Sequence, residues 1–347
     1  MKRPAIFTLL FLFGIASSLL ISSIDAKPPN FCIRHPNNPN CVTTVNSTIS
    51  STTTTITTLS TTTLPTTDNG QYGIAVGYPG VVVNFNHGDY NGYVSHAKSL
   101  GATVLRTDYS TGAGTAFSSL YNAARSQGLE VVPIIVGKSS WTTSTASSVA
   151  TDLVARYPDI RKVELGNEPN GSWSWGYTPS PIAYSELIKA MTPILRNNLP
   201  GVVLISPGLA QYNISSLSNM NAIQYETDLA KTGIDVDCWG YHPYDEWGWN
   251  TQMPQMIQAL RTLGIGEPLC LTETGRNTLE FTEQQQADAV TFRITEARTR
   301  NDLSDLYWYS LQDHCSTCVT DRENKFGLFK TDWTAKLAVA AYINALK

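Results

Sequence analysis

Short apolar runs rich in β-branched residues recur near residues 72–77, 103–108, 130–136, 161–166, 202–206, 236–242, 268–273 and 305–310. Their starts fall at roughly 30–40-residue intervals, the length of a strand plus its crossover helix. Between them the apolar positions change to helical spacing. Tyr184, Leu187, Ile188, Met191 and Leu195 follow the three- and four-residue steps of one helix face. Ser180 and Pro181 ahead of them supply an N-cap and a first-turn proline. Thr282 and Gln285 open another helix as a capping box. Eight such units predict a (β/α)8 TIM barrel over residues 70–347. A doubly wound sheet is the competing arrangement, but it would carry a G-x-G-x-x-G phosphate loop after its first strand, and Gly77-Tyr78-Pro79-Gly80 lacks that spacing.

The periodicity starts only at Gly70. Before it, Lys2 and Arg3 precede an apolar stretch and a small residue, Ala26, which together read as a signal peptide over 1–26. The protein is therefore expected to be secreted and extracellular, the alternative being an uncleaved N-terminal signal anchor. Residues 27–42 form a small segment containing Cys32 and Cys41, which can close a loop in an oxidising compartment. Residues 43–69 are a Ser/Thr-rich linker. With 18 Ser or Thr among positions 43–67, it cannot bury enough apolar surface to order itself and is expected to be a disordered, O-glycosylated stalk. Asn46 begins an N-glycosylation acceptor. No later stretch approaches a membrane span, so stable membrane insertion is not expected.

Composition narrows the classes further. Charged residues are 15% of the chain and the formal net charge is −4, which leaves no basic surface for nucleic acid. The five His residues form no H-x-H or H-x-x-x-H pair, so neither a catalytic zinc nor any cofactor is expected. A monomer is expected. Cys315 and Cys318 read as a disulfide that pins a loop, and Cys238 and Cys270, on neighbouring strands, as buried thiols. Asn170 and Asn213 also begin acceptors. Asn170 is expected to stay bare because a glycan there would crowd its neighbours.

A barrel collects its chemistry at the carboxyl ends of its strands. The fourth run ends in Glu164-Leu165-Gly166-Asn167-Glu168-Pro169-Asn170, and the seventh in Leu271-Thr272-Glu273-Thr274-Gly275. A carboxylate beside an apolar strand is costly unless paired or functional. Glu168 and Glu273 would face each other across the mouth, as glycosidic-bond hydrolysis requires of a proton donor and a nucleophile or base. Glu164, near the start of its run, reads as structural. Trp141, Trp173, Trp175, Trp247 and Trp249 follow strand ends and predict an aromatic, sugar-binding cleft. Asp108, Asp245, Glu246, Asp313, Glu323 and His87 remain open between site and solvent.

Asn-Glu-Pro after the fourth run and Thr-Glu-Thr-Gly after the seventh resemble the retaining glycoside hydrolases of clan A. The tail, from Glu283-Gln284-Gln285-Gln286-Ala287-Asp288 through Phe326-Gly327-Leu328, is similar to compact members of families 5 and 39. The resemblance implies Glu168 as general acid/base and Glu273 as nucleophile. It also implies Arg106 beside the nucleophile, Asn167 on a sugar 2-hydroxyl, and Tyr244 of His242-Pro243-Tyr244 supporting the nucleophile. Trp308 would form the aromatic floor, with Trp173, Trp175 and Trp247 binding sugar further out. The expected activity is double-displacement cleavage of a β-linked polysaccharide or oligosaccharide of the glucan, mannan or xylan kind. A non-catalytic, lectin-like carbohydrate-binding barrel is the alternative.

Overall fold

The computed structural model describes residues 72–75, 89–109, 111 and 114–347. The expected signal peptide, the Cys32 and Cys41 segment, the Ser/Thr-rich linker, Gly77–Gly80 and His87 lie outside the described residues.

Among the described residues, nine parallel strands form one sheet: β1 Tyr72–Ala75, β2 Val104–Tyr109, β3 Glu130–Ile135, β4 Lys162–Glu164, β5 Val203–Ile205, β6 Leu209–Ala210, β7 Trp239–His242, β8 Leu269–Thr274 and β9 Leu303–Tyr309. Their order is β5-β4-β3-β2-β1-β9-β8-β7-β6, and a parallel bridge between Ile205 and Cys238 joins the two ends into a barrel. All eight expected strands are present. The fifth continues past Ser206-Pro207-Gly208 as β6, because Pro207 has no N–H to give a ladder and pairing breaks there. β5 pairs with β4, and β6 pairs with β7. One broken strand thus closes the barrel on both sides.

Around the strands lie α1 Tyr90–Ser99, α2 Gly114–Ser126, α3 Thr143–Arg156, the single turn α4 Ser172–Trp175, α5 Pro181–Asn198, α6 Ala222–Lys231, α7 Met253–Thr262, α8 Glu283–Thr299 and α9 Leu337–Ala345. In α5 the Ser180 hydroxyl accepts from the Ala183 N–H at 3.2 Å, and Tyr184, Leu187, Ile188, Met191 and Leu195 are all buried. Truncating Ile188 to Ala in this stripe costs about 2–5 kcal/mol. The Thr282–Gln285 capping box opens α8 as expected. Among the described residues, no helix is long and apolar enough to cross a membrane.

Strand alternation divides the core into two layers. Val104, Val132, Ile205, Cys238, Cys270 and Tyr307 fill the barrel, while a larger apolar belt packs between strands and helices. Cys238 and Cys270 correct one expectation: they are joined as a disulfide, with Cα atoms 5.8 Å apart. Both side chains point into the barrel, Cys238 from just before β7 and Cys270 from β8 opposite Gly240, and they lie within bonding reach. Cys315 and Cys318 are bonded as expected.

Candidate active site at the barrel mouth

Glu168 lies just beyond β4. Its N–H donates to the Gly208 carbonyl at 2.7 Å, and its φ of 48° is in the left-handed region, which costs a non-glycine residue about 1–3 kcal/mol. The segment broken at Pro207 therefore fixes the backbone that carries this carboxyl. Gly208 has a second requirement to meet. A Cβ there would collide with His242 Nε2, Thr272 Oγ1 and Glu164 Oε1, so only glycine lets these side chains converge.

His242, the last residue of β7, is fully buried. Its Nδ1 lies 2.7 Å from Glu168 Oε1, and its Nε2 lies 3.0 Å from Thr272 Oγ1. Glu273 on β8 accepts from Arg106 Nη1 at 2.7 Å through one oxygen and from the Tyr244 hydroxyl at 2.5 Å through the other. Arg106 also donates from Nη2 to Glu164 Oε1 at 2.9 Å and to Asn167 Oδ1 at 2.8 Å, and from Nε to Glu164. Glu164 is the last residue of β4 rather than near its start. There it is wholly buried and holds the guanidinium that reaches Glu273.

These neighbours drive the two carboxyls apart electrically. Burial raises the pKa of Glu168, and the charge of Glu273 raises it further, against the opposing pull of His242. Glu273 is equally enclosed, yet His242, Arg106 and the Tyr244 hydroxyl outweigh burial and hold its carboxyl below the usual range. Burial works against the His242 cation as well, but Glu273 and Glu168 prevail and raise its pKa. One oxygen of each carboxylate and a His242 nitrogen all lie within 4.8 Å of one another. Among the described residues, these three side chains are the ones that could share a cation. Arg106 already supplies positive charge at Glu273, which weakens the site for a metal ion.

The pair opens into a cavity of about 820 Å³ lined by Arg106, Asn167, Tyr244 and Trp173 among the expected residues. Trp173 is exposed on its wall and donates from Nε1 to the Tyr212 hydroxyl at 3.1 Å. The other expected tryptophans stand elsewhere. Trp175 is buried against Tyr184, because the turn of α4 carries it inward. Trp247 is exposed but does not line the cavity. Trp308 is fully buried and faces the helix belt, with the Arg293 guanidinium 5.8 Å from its ring. Asp305, Tyr307 and Tyr309 alternate with it toward the interior, so Tyr309 takes the place expected of Trp308 and lines the cavity with Phe326 and Phe281.

Several contributors carried no strong sequence signal. Gln211, just past β6, accepts from the Tyr244 N–H at 2.7 Å. Arg293 on α8 is buried, and among the described residues it has no ion-pair partner. It donates to Thr274 Oγ1 at 2.9 Å and to the carbonyls of Gly275 at 3.0 Å and Tyr244 at 2.5 Å. Burial, with the charge of Arg276, lowers its pKa to about 9. Arg293 thus ties the Tyr244 backbone to the end of β8, fixing the hydroxyl relative to the carboxyl it serves. Of the residues left open, Asp108, Asp245 and Glu323 line the cavity, Glu246 stands in solvent beside Arg276, and Asp313 is buried on Lys336 at 2.7 Å. Asn170 is buried, its Nδ2 donating to the Ala210 carbonyl at 2.8 Å, so its amide is engaged within the protein.

No family model matches the chain, and no curated protein matches it. Solved structures do. A family 39 glycoside hydrolase from the gut symbiont Bacteroides cellulosilyticus WH2 superposes with a TM-score of 0.59 at 18% identity, over 79% of this chain and 63% of that one. A GH5_18 protein from Streptomyces cattleya, solved with GlcNAc, gives 0.59 at 14% identity over 80% of each chain. A β-glucuronidase from Ruminococcus gnavus, solved with D-glucuronic acid, gives 0.58 at 13% identity over 80% of this chain and 49% of that one. The chain spans less than two thirds of the first and third of these proteins. The barrel shared with glycoside hydrolases is thereby established as the fold.

Proposed function

We propose that the protein is a secreted retaining glycoside hydrolase acting on a β-linked polysaccharide or its oligomers. Glu273 is the nucleophile and Glu168 the general acid/base. One observation carries the reading: two carboxyls a few ångströms apart in one cavity, one driven toward its protonated form and the other toward its ionised form. Catalysis by a carboxyl pair needs that division of roles at a single pH. The separation also favours retention, since an inverting pair stands about 6.5–9.5 Å apart to admit a water between its members.

In the first step Glu273 Oε attacks the anomeric carbon, the glycosidic C–O bond breaks, and Glu168 gives its proton to the departing oxygen. Glu273 is then a neutral ester, and its charge no longer acts on Glu168. The Glu168 carboxylate can take a proton from water as that water attacks the anomeric carbon and releases Glu273. Arg106 and Tyr244 keep Glu273 ionised before attack and receive its charge again at the end. His242 stands against Glu168 to orient it. The Trp173–Tyr212 platform would hold a further sugar unit beyond the bond being cleaved.

The test is a 2-deoxy-2-fluoro glycoside with a good leaving group, followed by peptide mass spectrometry. The added mass of one fluorosugar on Glu273 is expected. A protein that hydrolyses β-glycosides with inversion and never acquires that mass sinks the assignment.

A further inference from the structure

Asp108 stands two residues beyond Arg106 on β2, and strand alternation sends both side chains into the barrel. Arg106 is consumed by Glu164, Glu273 and Asn167. Asp108, one step nearer the mouth, lines the cavity and takes part in no hydrogen bond or ion pair among the described residues. A half-buried carboxyl that faces a cavity with no protein partner is free to accept hydrogen bonds from a ligand there. Burial is the chief influence on it. Arg106 pulls its pKa down, Glu273 and Glu164 push it up, and the net position is about 7. The exposed Lys138 acts on it only weakly and does not line the cavity.

The rest of the cavity wall near the pair has the same sign. Glu323 lines it, its carboxyl held above the ordinary range by partial cover and then by the charges of Glu273 and Glu168. The other lining cations, Arg276 and Arg322, stand beside Glu246 at 3.4 Å and Glu323 at 3.5 Å. A sugar bearing a carboxylate would add a further acid to a wall that already holds six carboxyls, Asp108, Glu168, Asp245, Glu273, Glu280 and Glu323, against three guanidiniums, the buried one of which is engaged. A sugar bearing only hydroxyls would instead give Asp108 the donors it lacks.

We propose that Asp108 is a specificity-determining residue that hydrogen-bonds the hydroxyls of an uncharged sugar at the reacting position, so that the enzyme takes neutral glycans and rejects uronates. This rests on the retaining-hydrolase reading above and narrows its substrate class. It also parts this chain from the β-glucuronidase that shares its fold.

The experiment uses matched pairs of 2-deoxy-2-fluoro glycosyl fluorides that differ only at C6, hydroxymethyl against carboxylate, in the gluco and galacto series. Labelling of Glu273 is timed by mass spectrometry for the unaltered protein, Asp108→Asn and Asp108→Ala. The neutral member of at least one pair should label the unaltered protein faster, and Asp108→Ala should slow that labelling by about 10- to 100-fold, the worth of hydrogen bonds to a charged group. Asp108→Asn should fall between. Both variants should melt no lower than the parent at pH 8, since each removes an unpartnered carboxyl, so a loss of rate is not a loss of fold. Uronic probes that label at least as fast as neutral ones, or variants that label at the parent rate, overturn the role of Asp108 while leaving the hydrolase reading intact. Failure of every probe to label the parent overturns this proposal, and the hydrolase reading falls with it only if the labelling test of Glu273 described above also fails.

Discussion

At the closed end of the barrel interior, Lys162 lies 3.0 and 2.8 Å from the two oxygens of Asp305, and Tyr307 donates to the same carboxylate at 3.0 Å. At the mouth, Arg106 and His242 pair with Glu164, Glu168 and Glu273, and Asp108 stands beside them without a partner among the described residues. The lower cluster matches one cation with one anion and hydrogen-bonds what remains, the condition under which a buried ion pair is tolerated. The upper cluster has more acids than cations. Its imbalance raises the pKa of one carboxyl, Glu168, beside another, Glu273, whose pKa is lowered. Balanced charge anchors the fold, and unbalanced charge drives the pKa values of neighbouring carboxyls apart.

Removing charge from each cluster should therefore have opposite consequences. The largest effect is expected at the mouth. Glu273→Gln should lower kcat on the order of 10⁴-fold or more without lowering the melting temperature. Glu168→Ala comes next, at about 10²–10⁴-fold on substrates with poor leaving groups. The pH profile separates the two. The lowered pKa of Glu273 means that activity is lost as pH falls through it, and the raised pKa of Glu168 means that activity is lost as pH rises through it. With an activated leaving group, Glu168→Ala should keep the acid limb of kcat/KM and lose the alkaline one. A variant that kept both limbs would show that another group donates the proton.

At the closed end, Asp305→Asn strands the Lys162 ammonium and should cost about 3–5 kcal/mol in denaturant unfolding. Turnover per folded molecule should be unchanged. If activity fell while stability held, the separation between anchor and site would be wrong. Replacing both Cys238 and Cys270 by Ser should cost about 2–4 kcal/mol in the same measurement. Trp173→Ala should have the smallest effect, raising KM several-fold on oligomers, about 1 kcal/mol, and leaving single-sugar substrates unaffected.

The parts legible in the sequence were those set by period and chain order. Eight apolar runs gave the barrel, and the strand-end positions of Glu168 and Glu273 located the pair. The fifth strand was not seen to break, because Pro207 and Gly208 look like the ordinary end of a run when the partners of β5 and β6 are unknown. The series Tyr307-Trp308-Tyr309 is aromatic throughout, so it has no alternation from which to choose the inward side chain, and the prominent tryptophan faces the helices. Trp175 shares a loop with Trp173, but a single turn of helix sends one inward and the other out. Cys238 and Cys270 could be placed on neighbouring strands. Their bond depends on both side chains facing the barrel interior within reach of each other, which spacing does not report. Arg293 sits in a polar helix, where a charged residue ordinarily faces water.

Arg293 carries a consequence for how this site can change. Two of its three hydrogen bonds end on backbone carbonyls, at Tyr244 and Gly275, and every amino acid supplies that atom. The scaffold that aligns β7 with β8 is therefore largely independent of the side chains it presents. Tyr244 can be exchanged for Phe, or the loop beyond Gly275 replaced, without removing the backbone acceptors that hold the two strands in step. A mouth framed in this way offers replaceable cavity-lining positions on a fixed mount, open to selection or to design.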